Sequence, residues 1–186
     1  GIPVAAETGV IARDLELIRD IGVRVHFGRL SCARSVELVA RAQAEGLPVT
    51  ADVAVHHLYL TEIDLAGFDS RCHVRPPLRE SPDRDALRAG LASGALGALC
   101  SDHQPHESDA KEAPLGDTEP GISGLDTLLA LGLRLARDGV LPLPTLIERL
   151  TWGPARILGL DRGHLGVGAP ADVCVFDPDA EWRAAT

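Results

Sequence analysis

Apolar side chains recur at helical spacing over residues 10–20 (VIARDLELIRD), and the run that follows, residues 23–27 (VRVHF), is short and rich in β-formers. A second helical pattern covers residues 33–45 and stops at Gly46, where a glycine closes a helix, before the strand-like residues 49–53 (VTADV). After a proline-rich connection, DRDALRAGLASG predicts a third helix and residues 95–101 (ALGALCS) a third short apolar strand. Strands that read as apolar on both faces, separated by helices, predict an α/β fold with a parallel sheet covered on both sides, either a β/α barrel or an open sheet. The rhythm then changes. Residues 102–123 carry no periodicity, and so long an unpatterned stretch inside a compact domain is a functional loop or a disordered one. Residues 124–138 predict a Leu-rich helix, residues 144–150 another, and GPARILGL a short third. The tail GHLGVGAPADVCVFDP holds two turn signals and a strand over residues 172–176, expected in a small β-layer outside the main sheet. The domain division expected is residues 1–160 and residues 161–186.

The chain has 186 residues, 45% of them hydrophobic, which suffices for a sizeable core in one domain. No apolar run approaches the roughly 20 residues that cross a bilayer, and GIPVAAETG lacks the plan of a signal peptide, so a cytoplasmic location without membrane contact is expected. A formal net charge of -9 with no cluster of Lys and Arg excludes nucleic acid as a partner. Cys32, Cys72, Cys100 and Cys174 are scattered without a CxxC pair, so buried free thiols are expected in place of a zinc knuckle or redox pair.

Three stretches carry candidate chemistry. Asp102, His103 and His106 follow the strand ending near Ser101, and in parallel α/β folds the positions just past a strand's carboxyl end face the ligand crevice. The alternative is a turn capped by Asp102 with two exposed loop histidines. His56 and His57 follow VTADV; adjacent side chains diverge and cannot both bind one metal, so a packed histidine with an exposed neighbour is expected. In RPPLRE, residues 75–80, the prolines stiffen an extended segment whose guanidinium groups suit a carboxylate, or else form a rigid loop with solvated arginines.

The order VTADVAVHHLYLTEIDL, HVRPPLRESPDRDALRAGLASGALGALCSDHQPH, EPGISGLDTLLAL and GHLGVGAPADVCVFD resembles the dihydroorotases of the amidohydrolase superfamily from end to end of the chain. The resemblance implies the C-terminal portion of a (β/α)8 barrel with a β-segment of the small composite domain. It implies an activity, the opening and closing of the cyclic amide of dihydroorotate in pyrimidine biosynthesis, and a cofactor, zinc, which activates water and polarises the amide. By the same resemblance Asp102 is metal ligand and general acid/base, His106 holds the substrate carboxylate, Pro120 and Gly121 present backbone to the substrate ring, and His103 has no direct role.

Two positions depart from the pattern. Arg29 stands where the family carries a metal-binding His, and a guanidinium has neither a free lone pair nor the right charge to replace it. His26 lies three positions early, a shift that on a continuous strand turns a side chain to the other face. Arg75 stands where an Asn contacts substrate. A complete barrel also needs about 250 residues, so the remaining ligands are expected in a front half outside these residues; Asp102 alone falls short of the three or four ligands of a zinc site. Two readings follow from the resemblance. One is a non-catalytic dihydroorotase-like homologue that partners aspartate carbamoyltransferase; the other is an active cyclic amidohydrolase with altered metal ligation. In either, a part-barrel exposes sheet edges, so the missing N-terminal half or a second copy is an expected partner.

Overall fold

The structure, a computed structural model, describes residues 2–181. It opens with α1 (Val4–Ile21), capped by Pro3 and closed by Gly22 in the left-handed conformation, whose N–H donates to Ile18 O at 2.8 Å. The helix starts six residues before the periodic pattern. Ala5, Ala6 and Glu7 favour helix through intrinsic propensity and the N-terminal dipole while contributing no apolar repeat. Then follow β1 (Val25–Phe27), α2 (Ala33–Ala44), β2 (Val49–Ala54), α3 (Ser81–Ser93), β3 (Ala98–Cys100), α4 (Leu128–Arg137), α5 (Leu143–Leu150) and α6 (Trp152–Leu158).

The strands form a parallel sheet in the order β1-β2-β3, with Val25 opposite Val49 and Ala54 opposite Cys100. Spatial order equals chain order, as in a barrel wall and in either half of an open doubly wound sheet. Val49, Ala51 and Val53 are buried in one core with Val39 of α2 and Leu87 and Leu91 of α3. Truncating one of these leucines to alanine would cost about 2–5 kcal/mol. At Gly90 an added Cβ would lie 2.8 Å from Val36 Cγ1, so the glycine sets how closely α3 approaches α2. The other face of β2 is polar: Thr50 and Asp52 alternate with the buried apolar positions and both meet His26. The expectation of strands apolar on both faces is therefore corrected for β1 and β2, because this face lines a site.

One open alternative is decided and two further expectations are corrected. Residues 102–123 are ordered through two short 3₁₀ turns, Ser108–Lys111 and Leu115–Asp117, and through Lys111 Nζ, which donates to Glu119 O at 2.7 Å and Gly121 O at 2.8 Å. Residues 172–176 form no strand: among the described residues they have no ladder partner, and Val173 and Val175 are exposed. Of the thiols only Cys32 is buried; Cys72 and Cys100 are half-buried and Cys174 is exposed. Among the described residues no helix is long and apolar enough to cross a membrane.

Candidate functional site

The carboxyl ends of the three strands meet around two carboxylates. Asp102 lies two residues past β3 and Arg29 two residues past β1, and both take positive φ, 45° and 58°. Non-glycine residues avoid that region, at a cost of order 1 kcal/mol each, so other contacts must hold them there. One clamp is Asp52 on β2, which accepts the Arg29 N–H at 2.6 Å while His26 Nε2 lies 2.9 Å from its second oxygen. His26 Nδ1 is in turn 2.9 Å from Thr50 Oγ1. So fixed, Arg29 donates from Nη1 to Asp102 Oδ1 at 2.8 Å, an oxygen that also accepts from Gln104 Nε2 at 3.1 Å. The bond to Asp102 raises the Arg29 pKa further above its ordinary value, with burial opposing. The strand ends at Phe27, so β-alternation does not carry through to residue 29. His26 is turned toward Asp52 by its own register with Thr50 and does not stand in for the missing ligand.

Asp52 was not singled out by the motif reading. Its signal is a charged residue inside VTADVA whose polar alternation with Thr50 marks one face of a strand as wet. Cys100 Sγ lies 3.7 Å from Asp52, and burial, with Asp52 and Asp102 nearby, pushes its thiol up to about 12, which leaves it protonated and unreactive.

His56 and His57 sit on a 3₁₀ turn, Val55–Leu58, and both are buried. The expectation of one exposed neighbour is corrected: the turn is packed on every side, so divergence of the two rings does not bring either to solvent. His57 Nε2 donates to Pro76 O at 3.0 Å, and burial lowers its pKa. Neither ring nitrogen of His56 has a partner, and its Nε2 is 4.0 Å from Asp102 Oδ2. Burial and then the neighbouring His57 lower its pKa to about 3; Asp102 pulls the other way, more weakly.

The residues picked out by the resemblance fall into separate groups. Asp102 is joined to Arg29. His106 Nε2 is 3.2 Å from Pro120 O, and an added Cβ at Gly121 would strike Gln104 O, so His106, Pro120 and Gly121 form one tight corner beside a cavity of about 590 Å³. Gly121, at φ 154°, also donates its N–H to His73 O at 2.8 Å. Arg75 lines a different cavity, of about 500 Å³, together with Arg29. Arg79 of the same segment donates to Ser31 Oγ at 3.1 Å and lies 4.0 Å from Glu7, so it is not a solvated arginine. His103 Nδ1 accepts the Leu125 N–H at 3.1 Å, a structural role.

Zinc is the metal of the dihydroorotase family, and the residues described do not by themselves make up a site for it. One Asp102 oxygen, Oδ1, is bonded to a guanidinium, and among the described residues no group of three His, Cys, Asp or Glu side chains converges to hold an ion.

The chain is similar to known proteins. A dihydroorotase-like protein of Pseudomonas aeruginosa is 55% identical over 99% of this chain and 44% of its own length. A dihydroorotase of Geotalea daltonii is 42% identical over 98% of this chain and 43% of its own. The chain thus spans less than half the length of these curated relatives. Among solved structures, the L-hydantoinase (dihydropyrimidinase) of Arthrobacter aurescens superposes with a TM-score of 0.85 at 31% identity, covering 91% of this chain and 39% of the hydantoinase, which supports a wall of a TIM-type barrel. The sequence profile described as "Amidohydrolase family" matches residues 4–186, and the chain belongs to that family.

Proposed function

We propose that the chain is the C-terminal part of a dihydroorotase-like (β/α)8 protein of pyrimidine biosynthesis whose hydrolytic centre is impaired and whose role is structural. In this reading residues 1–160 complete a barrel with a preceding half, residues 161–186 belong to the small composite domain, and aspartate carbamoyltransferase is the partner. The observation that carries it is the 2.8 Å bond from Arg29 Nη1 to Asp102 Oδ1. A divalent cation about 4 Å from a guanidinium is repelled by roughly 8 kcal/mol at an effective dielectric of about 20. That is comparable with the roughly 10–16 kcal/mol with which a structural zinc site binds its ion. Asp102 is left as the acceptor in an ion pair, without the cation that would activate water for attack on an amide.

The relatives' names, a dihydroorotase-like protein and a dihydroorotase, support the dihydroorotase assignment, and the impaired reading rests on the Arg29–Asp102 bond alone. Assay of the full-length protein for dihydroorotate hydrolysis with added zinc tests the proposal: no turnover above background is expected, and turnover at the level of an ordinary dihydroorotase refutes it. The second reading, an active cyclic amidohydrolase with altered ligation, draws on His56, a buried imidazole with two unpartnered nitrogens beside Asp102. It requires Asp102→Asn to abolish a turnover that the wild-type protein shows.

A further inference from the structure

At the amino ends of the strands, the opposite end of the sheet from Asp52 and Asp102, lies another cavity, of about 380 Å³. Arg24 enters it from the position before β1, Arg149 from α5 and Arg156 from α6, and Glu148 is the one acid among the lining residues. Val49, which opens β2, and Gly97, just before β3, line it too. Because β2 is the central strand, the cavity is framed by elements of this chain and stands away from the outer edges of β1 and β3, where a barrel would continue. Each guanidinium is held in place. Buried Arg149 donates from Nε to Leu91 O at 3.2 Å and pairs through Nη1 with Glu148 at 3.0 Å. Arg24 Nη2 donates to Arg156 O at 2.5 Å and to Ile157 O at 3.0 Å, at the carboxyl end of α6. The Arg156 guanidinium lies 4.4 Å from the centre of the Trp152 ring and has no hydrogen bond or ion pair among the described residues. At Gly94 an added Cβ would lie 3.2 Å from Arg149 Nη2, so the bare backbone leaves room beside that nitrogen. Three guanidinium groups with unspent N–H donors therefore share one cavity with a single carboxylate, which leaves two positive charges uncompensated on a chain whose net charge is -9.

We infer that this cavity is a binding site for a phosphate dianion, free or as the terminal group of a small phosphomonoester. The two uncompensated charges match the roughly two negative charges that such a group carries near neutral pH. Its tetrahedral oxygens accept from donors arriving in several directions, here from the entry to β1, from α5 and from α6, whereas a planar carboxylate is saturated by one guanidinium fork. Arginines already anchored on backbone carbonyls, on a carboxylate and on an aromatic face lose little freedom when they bind. The volume lies at the lower end of the range of small-molecule sites, which suits a small phosphorylated ligand. The inference is independent of the proposed function, since none of these residues takes part in the Arg29–Asp102 contact.

Calorimetric titration of the full-length protein with inorganic phosphate and with glycerol 3-phosphate, and with glycerol as the uncharged control, tests it. Phosphate in at least one of the two forms is expected to bind, and glycerol not. Tighter binding of glycerol 3-phosphate identifies an ester as the ligand; tighter binding of inorganic phosphate identifies the free ion. Arg156→Gln is expected to weaken binding about tenfold, equivalent to about 1.4 kcal/mol, and Arg156→Lys to recover only part of the loss because an ammonium lacks the fork. Arg156 is exposed and its replacement breaks no side-chain hydrogen bond among the described residues, so this variant decides the question even if Arg149→Gln, at a buried position, fails to fold. Glu148→Gln removes the one acid of the cavity and is expected to tighten phosphate. Arg34→Gln, near the end of α2 away from the cavity, is expected to bind as wild type. No binding of either phosphate, equal binding of glycerol, wild-type affinity in Arg156→Gln, weaker binding in Glu148→Gln, or an equal loss in Arg34→Gln would overturn the inference.

Discussion

Replacing Arg29 by alanine isolates the contact on which the site depends. The Asp102 side chain is 8% exposed and that of Arg29 42% exposed, so the pair is neither a surface bridge nor a fully buried one. Exposed pairs contribute about 0–1 kcal/mol, and removing one partner of a buried pair costs about 3–5 kcal/mol. With the acid buried and the base part-solvated, Arg29→Ala is expected to cost about 2 kcal/mol, near the range for hydrogen bonds to charged groups. Part of that loss is the penalty of leaving Asp102 unpaired, which Asp102→Asn removes. The double variant should therefore be more stable than the sum of the two single losses predicts, with a coupling of about 1 kcal/mol. Urea unfolding of the four full-length proteins gives the cycle directly. Losses that add within about 0.5 kcal/mol would refute the claim that this contact organises the strand ends.

Two other outcomes follow from the same geometry. His56 has a folded pKa of about 3 against an unfolded value of about 6.5, so above pH 6.5 it contributes nothing to pH dependence. As pH falls below that value the unfolded chain takes up a proton that the folded one refuses, and stability is lost down to about pH 3 at up to about 1.4 kcal/mol per unit. His56→Leu should flatten this limb in urea midpoints measured between pH 7 and pH 5. It should not abolish the limb, because His57 is shifted in the same direction; an unchanged slope counts against a proton-refusing His56. Lys111→Met removes the ammonium that joins Ser70 O, Glu119 O and Gly121 O, and should raise amide exchange across residues 104–121 while costing about 1–3 kcal/mol. Unaltered exchange in that loop would show that something else orders it.

Much of the wall was legible because its helices carry strong periods. The alternation of α2, β2 and α3 follows from the pattern of residues 33–94, with boundaries shifted by one or two residues, and Asp102 lies past the end of β3 as its position after an apolar run implies. The pairing of Arg29 with Asp102 was half visible, since the sequence shows an arginine in a ligand's place but not the acid it would meet. That contact depends on two left-handed residues and on Asp52, more than twenty residues from Arg29 along the chain, and no local propensity encodes such a meeting. The ordered course of residues 102–123 was hidden for a similar reason: a single lysine reaching three carbonyls leaves no periodic trace. Residues 172–176 failed in the opposite sense. Their β-propensity is genuine, but a strand needs a neighbour to take its hydrogen bonds, and among the described residues none pairs with it.

Metal content of the full-length protein, purified without chelator and dialysed against zinc before elemental analysis, tests the central claim most directly. With Arg29 seated against Asp102, zinc well below one equivalent per chain is predicted, and Asp102→Asn should leave that value unchanged. Stoichiometric zinc that is lost in Asp102→Asn would contradict the account, because it would show the carboxylate serving a metal and not the guanidinium.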